Sequence, residues 1–444
     1  MTKGGRVSKR FLASALAVAT AAGVTAFALS GVAAGKSSWV QTLPSSSCGP
    51  VFYQGSGSPQ LLIASDLPLQ GAGRAQNLAM QKAVQYVLQT KYKFKAGKFT
   101  VGYQACDDST AQAGAWDPGK CSSNARAYAA DKSLIGVLGT FNSGCSKLII
   151  PILNRAPGGA VAMISSANTG VGLTHTAPWT DPGEPGIYYP TGKRNYVRVA
   201  ASDDYQGPAA ADMLKKLTHV KSVYVIHDNQ TFGKGVASAF KLRAAALGIK
   251  VLGFEPWDAK ATDYTAIGQH IKDSGAESVY LGGLVCNNGV KLLKDLRSVL
   301  GPKPVFAGPD GWTPYSATLG AGSAAQGMFV SYAGLPLQTL GPTGKKFIAD
   351  FSKVLKLPKG ELPPPYSIYQ AQSAQVLLDA IARSDGTRAS VTSELFKTNI
   401  KNGIMGSFHF DKNGDILPIK AISFDQLKGK TGKYVFVVIT KVKG

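Results

Sequence analysis

The sequence predicts an α/β protein with two lobes, each containing a mainly parallel β-sheet. Short apolar runs alternate with helical patterns through most of the 444 residues. Apolar strands separated by helices are typical of parallel sheets that are covered on both faces. The strand–helix units are too many for one sheet, so we expect two. The 51 glycines and 24 prolines agree with the many tight turns that such a chain needs.

The apolar runs place four strands in each lobe, with helices between them. Strands are expected at 60–68, 99–106, 133–139, 160–165, 222–228, 250–257, 278–283 and 303–310. Helices are expected at 74–90, from about 121, at 145–155 and at 233–247. The last of these helices places Val236, Phe240 and Ala244 on one apolar face, as a surface helix requires.

The order of elements changes after about residue 334. Two successive helices are expected there, followed by hairpin-like strands, at 343–356, 366–383, 406–411 and 434–440. We expect the helices to join one sheet and the strands the other, which makes the chain cross several times through a hinge beside a cleft. The expected lobes are 48–201 with 334–403, and 202–333 with 404–444.

The N-terminus predicts a secretory signal peptide over residues 1–34. Lys3, Arg6, Lys9 and Arg10 precede an uncharged stretch that runs from Phe11 to Gly35 and is rich in alanine and glycine. A basic segment, an apolar stretch and small residues before a cut after Ala34 are the parts of such a signal. The alternative is an uncleaved membrane anchor, because the stretch is long enough to span a bilayer.

Export changes the interpretation of the five cysteines. They lack the paired C-x-x-C spacing of a zinc site, and they lie at Cys48, Cys106, Cys121, Cys145 and Cys286. Outside the cytoplasm they predict one or two disulfides with one thiol left over. Several pairings stay open.

The composition is that of a basic protein, but the basic residues do not follow the pattern of a nucleic-acid-binding protein. The formal net charge is +22, from 48 Lys and Arg against 26 Asp and Glu. The lysines are scattered, with no long run and no basic patch interleaved with aromatic residues, so we expect no nucleic-acid partner. A generally basic surface fits association with anionic cell-wall or lipid surfaces as well.

Signals for catalysis, metal binding and cofactor binding are weak. The five histidines show no metal-ligand spacing, and there is no G-x-S-x-G elbow and no P-loop. "GAGRAQ" (71–76) has glutamine where a dinucleotide fingerprint has its third glycine, and "DKNGD" (411–415) lacks the last glutamate of a calcium loop and predicts a hairpin turn. We expect no enzyme, no cofactor and no metal site.

Polar residues follow three of the predicted strands, where ligands bind in open α/β sheets. Ser143 comes after 133–139, at a helix start that suits either an N-cap or a site for a carboxylate. Thr169 follows 160–165, and Asp310 ends 303–310 in the other lobe. An anion site in one lobe and a carboxylate in the other would suit a zwitterion.

Seven ordered motifs resemble the leucine/isoleucine/valine-binding proteins, which are type I solute-binding components of ABC importers. The motifs are "DLPLQG", "GTFNSGCS", "ISSANTG", "YVRVAASDDYQGPAAA", "VIHDNQTFGKG", "YLGG" and "FAGPDGW". The resemblance runs from about residue 60 to 335 and more faintly to the end. It implies two Rossmann-like lobes joined by a hinge of several crossovers, which is the type I periplasmic binding protein fold.

The resemblance also implies roles for six residues. Ser143 and Thr169 match the residues that hold the ligand α-carboxylate, the carbonyl of Ala167 accepts from the α-ammonium, and Asp310 completes the ammonium site. The family usually has glutamate at this last position. Two wall positions fall on Phe232 and Leu284, where the family has aromatic residues, and Cys286 and Trp312 are expected near the side-chain pocket.

The implied function is an extracytoplasmic solute-binding protein of an ABC importer. It would bind a branched-chain-like amino acid or a related small carboxylate or amide by closing the cleft, as a monomer that docks on a membrane permease. A sensing module without transport and a secreted α/β hydrolase are the alternatives. The stretch 174–192, rich in proline and glycine, predicts a long ordered loop that is longer than in the family and could cover the cleft.

Overall fold

The computed structural model describes residues 40–419 and 421–438. The predicted signal segment, 1–34, lies outside these residues. In the described part of the chain, no helix is both long and apolar enough to cross a membrane.

The chain up to residue 198 builds the first sheet and helices on its faces. The elements are β1 (Leu61–Leu67), α1 (Arg74–Val87), β2 (Lys95–Ala96), β3 (Phe99–Asp107), β4 (Ser109–Thr110), β5 (Ala115–Trp116), α2 (Pro118–Ala130), β6 (Leu134–Gly139), α3 (Ser143–Asn154), β7 (Ala162–Ser165) and β8 (Tyr196–Arg198). The sheet has the order β2-β3-β1-β6-β7-β8 and is parallel except for β2. Strand β3 lies on one side of β1, and β6, which follows β3 in the chain, lies on the other side. The strand order therefore reverses at β1, and the switch point of the sheet lies between β1 and β6.

The next part of the chain builds most of the second sheet. Its elements are α4 (Asp203–Met213), β9 (Ser222–His227), α5 (Thr231–Ala246), β10 (Lys250–Pro256), α6 (Thr265–Ser274), β11 (Ser278–Gly282), α7 (Gly289–Leu300), β12 (Val305–Gly308), α8 (Tyr315–Thr318) and β13 (Phe329–Tyr332). The parallel order β10-β9-β11-β12-β13 places a second switch point between β9 and β11.

The C-terminal part contributes to both sheets. Its elements are α9 (Pro342–Val354), α10 (Pro365–Arg383), α11 (Arg388–Phe396), β14 (Asn399–Gly403), β15 (Gly406–Phe410), β16 (Ile416–Leu417), β17 (Ile422–Lys428) and β18 (Thr431–Val438). Strands β17 and β18 extend the second sheet in antiparallel pairing next to β13. The chain passes between the sheets near 199–202, 333–336 and 418–421, and at the first two crossings the Ala201 N–H donates to the Ala333 carbonyl at 3.3 Å.

Each sheet is covered on both faces by buried apolar side chains. On one face of the first sheet, α1 and α10 pack through Val84 and Leu377, and on the other face α3 packs through Ile149. The second sheet has two such clusters, represented by Phe240 and Phe306. These layers confirm the predicted fold class of two α/β lobes with mainly parallel sheets.

The short sheet β14-β15-β16 does not join the second lobe's sheet. Its residues Phe408, Phe410 and Ile416 belong to the same buried cluster as Phe347 of α9 and Leu377 of α10. The sequence analysis placed 404–444 in the second lobe. Because apolar burial joins β15 and β16 to the first sheet's helices, we propose that the first lobe extends to residue 417.

Helix α11 was not predicted from the sequence, and one buried arginine fixes it to the first lobe. The guanidinium of Arg388 donates to five backbone carbonyl oxygens, those of Tyr128, Ala129, Asp131, Leu134 and Pro157. Charge-assisted hydrogen bonds of this kind are stronger than neutral ones, so Arg388 ties α11 to the end of α2.

Two disulfides lie in the first lobe. Cys48 is bonded to Cys106 of β3, and Cys121 of α2 is bonded to Cys145 of α3. Cys286 is the free cysteine of the described residues. Asp108 lies close to Cys121 and Cys145, but these two sulfur atoms are bonded to each other and hence do not form a metal site with it.

Candidate functional site

The carboxyl ends of the two sheets contribute residues to one region between the lobes. In the first sheet the relevant strands are β6, which ends at Gly139, and β7, which ends at Ser165. In the second sheet they are β11 and β12, which end at Gly282 and Gly308. Hydrogen bonds join the two sides: the Asp203 N–H donates to the Thr169 carbonyl at 2.8 Å, and Tyr366 of α10 donates to Asp310.

Ser143 is the first residue of α3 and is buried. Its Oγ accepts the Gly170 N–H at 3.1 Å, which links the helix start to the segment after β7. The sequence suggested an N-cap as one role for Ser143. That is wrong, because Asn142 occupies the N-cap position, and Ser143 lies inside the helix.

A buried polar network holds the loops after β6 and β7 together. The Asn168 amide donates to the carbonyls of Thr140 and Phe141, each at 2.9 Å. The Asn168 amide oxygen in turn accepts from the hydroxyl of Ser146 at 2.5 Å. Since Asn168 uses its polar atoms within the first lobe, it positions this loop and leaves the neighbouring Thr169 to face the other lobe. The hydroxyl of Thr169 is buried without a well-formed hydrogen bond among the described residues.

Asp310 begins a short 3-10 turn directly after β12 and is buried. One carboxylate oxygen accepts from the Tyr366 hydroxyl, and the Asp310 N–H donates to Gln206 Oε1 at 3.1 Å. The other oxygen, Oδ1, is buried and has no hydrogen-bond partner among the described residues. Burial raises the pKa of Asp310 to about 6, against the opposing effect of the bonds from Tyr366 and Gln206.

Asp203, the first residue of α4, adds a second buried carboxyl group. Burial and the charge of Asp310 raise the pKa of Asp203 to about 8, against the lowering effect of the nearby Thr169 hydroxyl and of the Gln206 amide. Gln206 donates to Asp203 Oδ1 at 3.0 Å, and Oδ2 is buried without a partner in the described chain. Two buried acids that each have an unpaired oxygen form a site that favours a cation.

The two predicted wall residues, Phe232 and Leu284, lie together beside Asp310. A Cβ atom placed on Gly311 would lie 2.8 Å from a ring carbon of Phe232, 2.9 Å from a methyl carbon of Leu284 and 2.3 Å from the Gly283 carbonyl oxygen. Position 311 therefore accepts only glycine, and this contact fixes the turn that carries Asp310 against the wall.

Trp312 does not line this region, contrary to the sequence-based expectation. It is fully buried in the core of the second lobe, where its indole N–H donates to the Leu281 carbonyl at 2.7 Å. Cys286 does line a small cavity between the lobes, of about 20 Å³, together with Leu284 and the first-lobe residues Trp116 and Phe141. Burial raises the pKa of the Cys286 thiol to about 12.

A model of the periplasmic binding protein family matches residues 63–432. The chain belongs to this family.

Individual relatives of this binding protein agree with the family match. An amino acid binding protein of Pseudomonas aeruginosa is 30% identical over 51% of this chain, and the match spans only 58% of that relative. A Leu/Ile/Val-binding protein homologue of Brucella abortus is 25% identical over 87% of this chain and 96% of its own length. The crystal structure of a leucine-binding protein from Thermotoga maritima superposes with a TM-score of 0.72 at 21% identity, covering 85% of this chain and 99% of that one.

The binding protein also has site residues that the sequence analysis did not identify. Asp203 and Gln206 stand in the motif "YVRVAASDDYQGPAAA", where two adjacent acids at a helix start were the available signal. Tyr366 gave no local signal, because it lies in a long buried helix and reaches Asp310 only through the tertiary fold. Ala167 is buried beside Thr169, as the motif order implied, and its N–H donates to Ser165 Oγ at 3.2 Å.

Proposed function

We propose that this chain is an exported solute-binding protein that holds an amino acid, or a related small carboxylate or amide, between its lobes for an ABC importer. One observation carries the proposal: Asp310 and Asp203 each have a buried oxygen without a partner in the described chain, opposite the hydroxyls of Ser143 and Thr169. An amino acid offers a cation for the two acids and an anion for the hydroxyls.

In this proposal each end of the ligand meets groups of opposite character. The ligand ammonium replaces the missing partners of Asp310 Oδ1 and Asp203 Oδ2, with the Ala167 carbonyl as a third acceptor. The ligand carboxylate accepts from the Thr169 hydroxyl and from donors at the start of α3 near Ser143. Phe232 and Leu284 exclude water from the ligand side chain.

Binding then stabilises the closed arrangement of the lobes. Ser143, Ala167 and Thr169 belong to the first lobe, and Asp203, Phe232, Leu284 and Asp310 to the second. A ligand that contacts both lobes favours the closed form by its differential affinity for that form. The closed monomer would be the form that docks on a membrane permease. Export is supported by the N-terminal signal pattern and by the two disulfides.

A ligand screen tests the proposal. Purified protein lacking residues 1–34 is heated with each of the twenty amino acids, their amides and small aromatic and aliphatic acids. A ligand raises the melting temperature through linkage, and titration calorimetry then gives its affinity. We expect at least one amino acid or close analogue to bind. Absence of any shift across the panel would overturn the proposal.

A further inference from the structure

A second cavity lies near the candidate site, separate from the small one beside Cys286. It measures about 210 Å³. One side is formed by Lys147 of α3 and by residues 170–173, which directly follow Thr169. The opposite side is the start of α5, residues 229–231, directly before Phe232, with Lys234 and Gly235. The cavity therefore adjoins the proposed carboxylate end of the ligand.

The loop 174–192 forms the third side of this cavity and is fixed to the first lobe. Lys147 Nζ lies 2.6 Å from Glu184 Oε1 and 2.9 Å from Asp181 Oδ2. The Tyr189 hydroxyl donates to the Leu173 carbonyl at 2.6 Å, and the Thr191 N–H donates to Asn154 Oδ1 at 3.0 Å. These bonds hold the loop as an ordered wall.

The tip of the loop reaches the second lobe. The side chain of Trp179 lies against Gly235 of α5, since a Cβ atom placed on Gly235 would be 4.0 Å from Trp179 Cδ1. The Trp179 indole nitrogen is buried and has no hydrogen-bond partner among the described residues. The loop thus bridges the lobes through Trp179.

The two lysines that line the cavity, Lys147 and Lys234, differ in their ion pairs. Lys147 forms ion pairs with both Asp181 and Glu184, which leaves one excess negative charge on these three side chains. Lys234 is exposed, and its ammonium group has no ion-pair or hydrogen-bond partner within residues 40–419 and 421–438. Lys147 lowers the pKa of Asp181, and the charge of Lys234, which balances the excess, lowers it as well. Because Lys234 forms no direct ion pair, its ammonium group is the donor in the cavity that is left for a carboxylate or a carbonyl oxygen.

The two cavities differ greatly in the room that they leave. A volume of roughly 10–15 Å³ in this measure holds one water molecule. The cavity of about 20 Å³ beside Leu284 and Cys286 is nearly filled, whereas the cavity of about 210 Å³ accepts a further chemical group. Free space therefore lies beyond the ligand's carboxyl end, and little lies beyond its side chain.

From this arrangement we propose that the ligand is extended at its carboxyl end, as in a dipeptide, and that its second residue occupies the cavity under the loop 174–192. The first residue would keep its ammonium at Asp310 and Asp203. Its peptide carbonyl would take the place of a free carboxylate near Ser143 and Thr169. The terminal carboxylate would face Lys234. This inference rests on the proposed function and names its ligand class.

Calorimetry with matched ligand pairs tests the inference. L-Alanine is compared with L-alanyl-L-alanine, and L-leucine with L-leucyl-L-alanine, at one pH and salt concentration. We expect each dipeptide to bind at least tenfold more tightly than its free amino acid. In Lys234→Gln the dipeptide affinity should fall about twofold to fivefold, and the amino-acid affinity should stay unchanged.

A second variant tests the volume of the cavity separately from the charge of Lys234, and a third serves as a control. Gln230→Trp fills the cavity and should abolish dipeptide binding while amino-acid binding remains. Lys241→Gln, on the same helix but outside the cavity lining, should change neither affinity. Melting curves for each variant show whether it is folded.

The outcomes distinguish the inference from the proposed function. If free amino acids bind and dipeptides do not, the proposed function stands and the extended ligand is wrong. If dipeptides bind to Lys234→Gln and to Gln230→Trp with the wild-type affinity, the cavity is not their site, and the inference is again wrong. If no dipeptide binds and the full ligand screen is also negative, both proposals fall.

Discussion

Tyr366 and Asp310 form a hydrogen bond between the two lobes. The hydroxyl of Tyr366, on a helix that packs in the core of the first lobe, donates to the carboxylate that ends β12 in the second lobe. The ring of Tyr366 also lies 5.6 Å from Phe141 and 5.0 Å from Tyr332, between aromatic neighbours of both lobes. One oxygen of Asp310 is thus held by the protein itself, and the other is left for a ligand.

Replacement of Asp310 by asparagine should weaken amino-acid binding. The change keeps the size of the side chain and removes the charge, so the loss should equal a charge-assisted hydrogen bond, about 1.5–3 kcal/mol. Titration calorimetry measures the effect. Asp273→Asn, an exposed change on α6, serves as the control. An unchanged affinity in Asp310→Asn would remove the ammonium role of this residue.

Amino-acid affinity should depend on pH through the two buried acids. The pKa of Asp310 is about 6 and that of Asp203 about 8, and an ammonium binds best when both are ionised. Affinity should therefore fall as the pH drops from 8 through 6, and binding near pH 7 should release protons. Calorimetry in buffers with different ionisation enthalpies counts these protons. Binding without proton release would contradict the proposal that Asp310 and Asp203 bind the ligand ammonium.

Tyr366→Phe provides the matched test of this pH dependence. The hydrogen bond from Tyr366 lowers the pKa of Asp310, so its removal should raise that pKa. The affinity profile should then move to higher pH while the ligand preference stays the same. A uniform loss of affinity at every pH would instead indicate that Tyr366 acts on the ligand or on the fold.

His175 should make the folded state more stable at low pH. Its ring lies 2.9 Å from Asp415 and 3.2 Å from Asp204 of α4, and Arg198 also faces this cluster through Asp415. Burial lowers the pKa of His175, but the bonds to Asp204 and Asp415 outweigh burial and raise it overall. A histidine whose pKa is raised on folding stabilises the protein below its unfolded pKa, about 6.5, and this contribution is lost as the pH rises through the folded pKa.

Urea unfolding at pH 5.5 and 8.5 checks this effect. Wild-type protein should exceed His175→Gln in free energy of unfolding by more at pH 5.5 than at pH 8.5. The exposed His219, changed to glutamine, is the control. An equal difference at both pH values would show that His175 contributes packing and not charge.

The thiol of Cys286 should react slowly and should be protected by ligand. Its pKa of about 12 keeps the reactive thiolate scarce at neutral pH. Because Cys286 lines the cavity with Leu284 and Phe141, a bound ligand should slow alkylation by iodoacetamide further. Mass spectrometry with and without ligand measures both rates, and unfolded protein sets the upper limit. Equal rates with and without ligand would place the ligand elsewhere.

The sequence alone was sufficient to predict the strands and helices that have a local pattern of apolar residues. The runs 60–68, 99–106 and 222–228 match β1, β3 and β9 to within two residues at each end, because buried parallel strands are nearly continuous apolar runs. Helix α10 was expected at 366–383 and extends over Pro365–Arg383.

Features that depend on distant contacts could not be predicted in this way. The contact between Tyr366 and Asp310 joins residues 56 positions apart, and nothing around Tyr366 distinguishes it from other apolar helix positions. The short strand β16 holds two residues, which is too few for a pattern. Trp312 was misplaced because a tryptophan next to a polar turn can face either the core or a cavity, and Gly289 and Gly308 leave room for it in the core.

The topology of the first lobe has a consequence for the order in which the protein folds. Its strands β1 to β8 come early in the chain, yet one face of their sheet is covered by Phe347, Leu377 and Phe408, which come more than 100 residues later. A chain that is made from the N-terminus therefore first forms a sheet whose apolar face is covered by α1 alone. The first lobe is thus begun before the second lobe but completed only after residues 202–333, so the unfinished chain is prone to aggregation until α9 and α10 are present.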